Sequence, residues 1–393
     1  MTRAVRIVFV KEMLENLRDR RVILSAFLFG VLLAPVIFGL TTSLASKRVV
    51  ESQDKPLRLS VSGAAHAPNL VHFLEENGAQ IKTVTMAPDE AITEVRAGRE
   101  DLVLLIDTEY GSKLQAGEPA PLDLVVDTAN NQTSASAERA RRLLEAYGGQ
   151  LASLRLLVRG ISPEVVRPVD VRTLDVATPA GRSLLILGMM TYFSFMSMLV
   201  GGFYLAIDTT AGERERGSLE PLLGLPVKRA ELIVGKMLAT SAFMSISLLL
   251  TLTAFGIVLQ FIPLEALGMS ANFGPRVVLA IFAVMLPFVP LGAGLMTAVA
   301  SFTRSNREAQ SWLSVVMLLP IAPIMFAVVN GTKPSATLMT IPSLSQHLLA
   351  TSLMRGDSIP PLHALISAGT TLLLGALFVG LAIQLYRREA ILG

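Results

Sequence analysis

Six stretches of this 393-residue chain contain no Asp, Glu, Lys or Arg: 22–46, 183–207, 237–264, 277–303, 309–332 and 358–386. A helix that crosses a bilayer needs about 20 predominantly apolar residues. The shortest of the six has 24, so each is long enough to span. Pro360 and Pro361 set the start of the last helix near Leu362, because proline favours a helix entrance. Only 17% of residues are charged and 52% are hydrophobic, against about 25% charged in an ordinary soluble domain. Lipid, not water, is the solvent these runs are written for.

Lys and Arg placement sets the orientation. With the N-terminus inside, the inner segments carry Arg3, Arg6, Lys11, Arg18, Arg20, Arg21, Arg214, Arg216, Lys228, Arg229, Lys236, Arg304, Arg307, Arg387 and Arg388. The short outer loops carry Arg276, Lys333 and Arg355. Fifteen against three puts both termini in the cytoplasm. The first run competes with a signal peptide, since Ser43-Leu44-Ala45 resembles a cleavage site. A 21-residue leader containing Glu12, Glu15 and Asp19, and an apolar stretch longer than about 15 residues, argue for an anchor. Ahead of it, Val5, Val8, Phe9, Met13 and Leu17 recur at helical spacing, with Arg6, Lys11, Glu12 and Glu15 elsewhere on the wheel. The expectation is an amphipathic helix along the cytoplasmic interface over 1–21.

Residues 47–182 have soluble character. Strand-like runs at 57–61, 80–86, 102–107 and 122–127 alternate with helical candidates at 68–77, 88–97 and 134–159. That alternation predicts an extracytoplasmic α/β domain with a small, partly parallel sheet. It would capture substrate, dock a periplasmic or cell-wall partner, or act as a rigid cap that stabilises a dimer. Arg139, Arg141 and Arg142 read as a solvated helix surface, and no aromatic-interleaved basic patch points to nucleic acid.

The cytoplasmic segment 208–236 is too long for a tight turn and too patterned for a linker. Glu213, Arg214, Glu215 and Arg216 form an alternating charge cluster, followed by Leu219, Leu222, Leu223 and Leu225. A short helix carrying both, ended by Pro226, would offer a charged, hydrophobic-cored plug to a cytosolic partner.

Several chemistries are excluded by what the sequence lacks. No cysteine is present, and the four histidines have no ligand spacing, so disulfides and a metal centre are not indicated. A phosphate-binding loop needs G-x-x-x-x-G-K-[ST]; the one Gly-Lys pair is Gly235-Lys236, followed by Met237 and an apolar run. Nucleotide cannot be bound there. Ion-coupled transport usually needs acidic or basic side chains within the spans, despite a cost of about 3 kcal/mol each, and the six runs have only His363 near an end. The motifs of membrane hydrolases are also missing. Intramembrane Pro35, Pro287, Pro290, Pro320 and Pro323 predict kinks. Met189, Met190, Met196 and Met198 could line an apolar cavity or simply pack. Gly201-Gly202 and Gly292 with Gly294 are candidates for a dimer seam.

The string A-G-E-R-E-R-G-S-L-E-P-L-L-G-L-P-V-K-R-A-E-L-I-V-G-K over 211–236 resembles the coupling region of ABC type-2 permeases, most closely the NatB-type sodium-efflux permeases. The likeness extends to R-S-N-R-E-A-Q over 304–310, to I-P-S-L-S-Q over 341–346, and to the layout of span, large external domain and five spans.

The resemblance implies a membrane all-α fold of six transmembrane helices in type-2 ABC exporter architecture, with the α/β domain inserted between the first two. It also implies a separate cytosolic ABC ATPase holding ATP and magnesium, with no cofactor on this chain. Glu213, Arg214, Glu215, Arg216 and Glu220 would make polar contacts in the ATPase groove. Leu219 and Leu222 would pack there, and Gly217 would permit close approach. Pro226, Arg229, Gly235 and Lys236 would join the coupling helix to the third span. Residues 1–21 would be the connecting helix, 333–361 an external re-entrant loop and 387–393 a cytoplasmic tail. Six spans are half of the usual exporter complement, so a dimer is expected, with a second copy or with a different permease, in a bacterial inner membrane. Nothing in the shared motif reports substrate, since related permeases export varied cargo. A second function class stays open: an ATPase-driven sensor or force transmitter acting through the external domain without transport.

Overall fold

The computed structural model describes residues 2–54, 56–127, 131–166, 179–224, 226–267 and 269–387. The expectations placed on Leu225 and on most of the 387–393 tail, and the side chain of Glu220, lie outside the described residues. The chain divides into two compact units, Arg48–Asp175 and the remainder.

The larger unit begins with helix α1 (Arg3–Arg18), whose first turn is capped by Thr2, its Oγ1 accepting from Val5 N. Helical residues then run from Arg20 to Asp54 without a break: Arg20–Ile23, a π-helical stretch Leu24–Leu33, and α2 (Ala34–Asp54).

The smaller unit follows in chain order as β1 (Leu57–Ser62), α3 (Pro68–Glu76), β2 (Ala79–Val84), α4 (Pro88–Arg96), β3 (Leu102–Ile106), α5 (Tyr110–Ala116), β4 (Leu122–Val126) and α6 (Asn131–Val158). Its sheet has the order β2-β1-β3-β4, parallel except for the β3–β4 pair. Alternation along β1 turns Leu57, Leu59 and Val61 toward Leu70 and Leu74 of α3 and Ala140 and Tyr147 of α6. Val103 of β3 points the other way, packing with Ala91 and Val95 of α4. This period-two division makes two thin hydrophobic layers from one sheet.

The larger unit resumes with α7 (Leu184–Ile207), α8 (Leu219–Leu223), α9 (Arg229–Leu259), α10 (Pro275–Met285), α11 (Phe288–Phe302), α12 (Asn306–Leu318), α13 (Ile321–Asn330), α14 (Leu344–Arg355) and α15 (Pro361–Arg387). Among the described residues, four helical stretches are long and apolar enough to cross a membrane: Ile186–Glu215, Arg229–Leu259, Asn306–Asn330 and Pro361–Tyr386. A fifth is the α10–α11 pair, bent by 44°. The bend falls at Leu286–Pro287, where proline cannot supply the N–H that a straight helix needs. In the first run the apolar helix that qualifies is the shorter Val31–Leu44.

The glycines expected at a dimer seam are spent inside the chain instead. A Cβ on Gly201 would stand 2.2 Å from Ser247 Oγ, and one on Gly202 2.6 Å from Met244 Cγ, so α7 and α9 pack backbone to side chain there. Gly292 faces Met244 and Leu199, and Gly294 lies against the backbone of Val379 in α15. Small residues let helices approach when lipid supplies no hydrophobic drive. The methionines divide: Met190 and Met198 are core, Met189 is exposed, and Met196 borders a small apolar recess with Leu33, Ala34, Ile37 and Phe193.

Candidate coupling site

The 208–229 segment folds differently from a single plug helix. Helix α7 continues through π-helical Asp208–Gly212 into Glu213–Glu215, so the charge cluster belongs to the foot of a span-length helix. Gly217 ends it. With φ +67°, it occupies the left-handed region that glycine enters freely. Gly217 N donates to Arg214 O at 3.0 Å and Ser218 N to Glu213 O at 3.0 Å. This bond pair is the Schellman stop of a helix. A Cβ on Gly217 would meet nothing within 4 Å, so within this chain the residue serves the turn and not a close approach. The apolar half forms its own short helix, α8, and Pro221 is tolerated because it lies in the first turn.

Much of the charge cluster turns inward. Glu213 and Lys236 form a buried ion pair, with side-chain exposures of 9% and 1%. Lys236 Nζ donates a second bond to Thr209 O at 2.8 Å, and Tyr386 Oη stands 3.5 Å from the same carbonyl. An ammonium this deep is tolerable only when paired and hydrogen-bonded. Arg214 reaches across to α11: Nη1 donates to Thr303 O at 2.6 Å and Nη2 to Ser301 O at 3.0 Å. Its guanidinium thereby satisfies carbonyls at the C-terminal end of α11, which have no partner within the helix. Arg216 pairs with Asp208 at 2.8 Å, both well exposed. Glu215 Oε2 accepts from Asn306 N at 2.8 Å at the start of α12.

That last bond joins two motifs separated by 91 residues in sequence. Ser305 caps α12, its Oγ accepting from Glu308 N at 3.3 Å, while Glu308 Oε2 accepts from Arg304 N at 2.8 Å. Serine followed three residues later by glutamate is a helix-start signature. The 304–310 string thus holds the start of α12 against the foot of α7.

Helix α1 closes the other side. A Cβ on Gly235 would stand 2.7 Å from Val8 Cβ and 3.1 Å from Val5 O, so α1 lies directly on α9 at this glycine. Phe9 and Met13 pack with Leu205, Ala239 and Phe243. Glu12 and Asn16 are also buried on this face, each 3% exposed. The expectation that Glu12 lies away from the apolar side is therefore corrected. At 100° per residue, Glu12 falls between Val5 and Val8, and an acid inside an apolar arc was the readable signal. Lys11 Nζ reaches Glu12 Oε1 at 3.3 Å. Burial pushes the Glu12 carboxyl above the usual carboxylate range, while Lys236 and Lys11 pull it down. Leu17, one of the apolar residues expected along the interface, does not join this packed face and is 44% exposed.

Leu219 is also internal, clustered with Ile233, Met237, Ala298, Ala382 and Tyr386. The outer surface is built instead from Glu215, Arg216, Gly217, Ser218, Pro221, Gly224, Pro226 and Lys228, with Leu222 and Arg229 half-buried. Gly235 and Lys236 face the interior. Sequence reasoning missed Glu12, Asn16, Asp208, Thr209, Asn306 and Tyr386, none of which lies in the 211–236 string.

Span-length apolar helices whose ends meet at one ionic cluster define a multi-pass membrane protein. The sequence profile of the ABC-2 family transporter proteins matches residues 25–383, and the chain belongs to that family. It is similar to the ABC transporter permease protein NatB of Bacillus subtilis (strain 168), with 28% identity over 382 residues, 95% of this chain and 96% of that protein.

Proposed function

We propose that this chain is the membrane subunit of an ATP-driven exporter whose nucleotide-binding subunit is a separate cytosolic ABC ATPase. The observation that carries the reading is the Glu213–Lys236 pair with Glu12 beside it. It ties the segment 213–229 to the feet of α1, α7, α9 and α15. A push on the exposed surface of 215–228 is then delivered to several helices together, because a packed core transmits displacement.

In this reading Glu215, Arg216, Leu222, Pro226 and Arg229, with Glu220, meet the ATPase. Glu213, Arg214, Leu219, Gly235 and Lys236 relay the motion, and Gly217 is the turn that joins the foot of α7 to α8. The first helical run completes six spans with both termini inside the bacterial inner membrane. Residues 47–182 face outward, 333–361 form a re-entrant element, and two permease copies pair with two ATPases. ATP and magnesium reside on the ATPase, and the exported cargo is sodium or a small amphiphile.

The test is reconstitution with the cognate ATPase. ATP-dependent efflux from proteoliposomes, lost together with ATPase co-purification in an Arg216→Glu/Leu222→Asp variant, supports the proposal. Equal ATPase recovery with that variant removes the docking surface. A complex that hydrolyses ATP and binds normally but moves neither sodium nor amphiphile transfers the assignment to force transmission or signalling.

A further inference from the structure

Helix α1 has two apolar faces, and the protein uses one. Val5, Phe9 and Met13 are spent on α9 and its neighbours. On the opposite side Ile7, Val10, Leu14 and Leu17 are 59%, 43%, 50% and 44% exposed. Their spacing of three and four residues gathers them into an arc of about 80°. This is a continuous stripe, not scattered surface leucines. Beyond the helix, Leu24, Leu28 and Leu32 of the first apolar run are also exposed, at 49%, 46% and 45%.

Cations flank the stripe. Arg3, Arg6, Arg18 and Arg20 are exposed, and among the described residues none of them has an acidic partner. The depth of the helix is also set. α1 sits on Gly235, where α9 passes from Lys228, Arg229 and Glu231 into its apolar run. In a membrane helix that change of composition marks the boundary between headgroups and acyl chains.

We infer that the outer face of α1 is a binding surface for anionic phospholipid. Ile7, Val10, Leu14 and Leu17 enter the acyl boundary, and the four arginines hold lipid phosphates. Arginine matches phosphate oxygens with paired donors, and an interfacial helix binds by apolar burial together with attraction to anionic lipid. Exposed cations beside an apolar stripe, with no acidic partner among the described residues, favour lipid over a protein occupant, whose surface would have to supply both acids and apolar groups. The inference needs the multi-pass character of the chain and is independent of export.

The experiment uses the full purified chain in detergent doped with equal dioleoyl phosphatidylglycerol and dioleoyl phosphatidylcholine, with retained lipids counted by native mass spectrometry. The wild type is expected to retain phosphatidylglycerol at least tenfold over phosphatidylcholine, each arginine being worth roughly fivefold. Arg3→Gln/Arg6→Gln/Arg18→Gln/Arg20→Gln is expected to lose the preference, and the same four sites changed to Lys to keep most of it. Ile7→Ser/Leu14→Ser is expected to reduce retention of both lipids. An unchanged preference in the glutamine variant overturns the inference. So does a serine variant that holds lipid normally but no longer binds the ATPase, because the face then belongs to a protein. Matching thermal midpoints among the variants show that the fold is intact.

Discussion

Lys236 of α9 and Glu213 at the foot of α7 are 23 residues apart in the chain and form an ion pair closed off from solvent. Both residues sit in the string that resembles a coupling motif, yet they face each other, not a partner. The surface left for a partner is the turn and short helix between them.

Breaking that pair from one side should cost far more than removing it. Lys236→Met leaves Glu213 buried without its cation, an arrangement that typically costs about 3–5 kcal/mol. Lys236→Met/Glu213→Leu removes both charges and should recover most of the loss. Thermal unfolding of the purified variants in detergent checks this. Strict additivity of the two single changes would show that the residues do not interact.

Gly235→Ala should loosen α1. Its Cβ would stand 2.7 Å from Val8 Cβ, closer than real side chains pack, and such overpacking costs about 1–3 kcal/mol. Trimming the neighbour with Val8→Ala should restore part of the stability. The chain contains no cysteine, so spin labels at engineered cysteines in α1 and α9 can report the separation directly. An unshifted distance in Gly235→Ala would rule out the contact.

Arg214→Lys should behave almost like Arg214→Ala. One guanidinium serves Thr303 O and Ser301 O together, and a single ammonium does not reproduce that fork. A loss of about 2 kcal/mol is expected for either variant. It should appear with faster amide hydrogen exchange at the end of α11. Full stability in Arg214→Lys would mean that one bond suffices.

His347 predicts a pH dependence. It lies in α14, 2% exposed, with Nδ1 2.6 Å from Thr191 Oγ1, and burial lowers its pKa to about 4. The folded protein therefore resists a proton that the unfolded chain accepts near pH 6.5. Stability is full above pH 6.5 and falls as the pH drops toward 4, by an amount on the order of 3 kcal/mol. His347→Gln should flatten that part of the stability curve. A slope that persists unchanged in the variant would assign it to other groups.

Some of this architecture was legible from residues alone. Charge-free runs longer than a bilayer is thick can be used in few ways, so the apolar helices over 183–207, 237–264 and 362–386 could be located by counting. The strands were visible because β-branched and leucine-rich runs alternate with turn glycines, and β1 begins at Leu57 as expected. The special character of 211–236 was also visible in its alternating charges, its leucines and Pro226, but the helix break at Gly217 was not, since one helix was expected to carry both the charges and the leucines.

Direction was not legible. A sequence marks Glu213, Arg214 and Lys236 as charged and close in number, but not whether they point toward water or toward one another. Nor does it pair Glu215 with Asn306, or set Val8 against Gly235. The apolar residues of α1 were equally ambiguous, since two faces could have been buried and helical periodicity alone favours neither.

Local composition therefore determined which segments prefer lipid, which form strands and where helices stop, because those outcomes depend on neighbours within a few residues. The tertiary structure decided which charges neutralise each other, which face of α1 is covered and which glycines are contact points. Those outcomes depend on helices distant in the chain competing for the same small volume. An ammonium that must leave water takes the nearest carboxylate in space, and only the packed bundle determines which one that is.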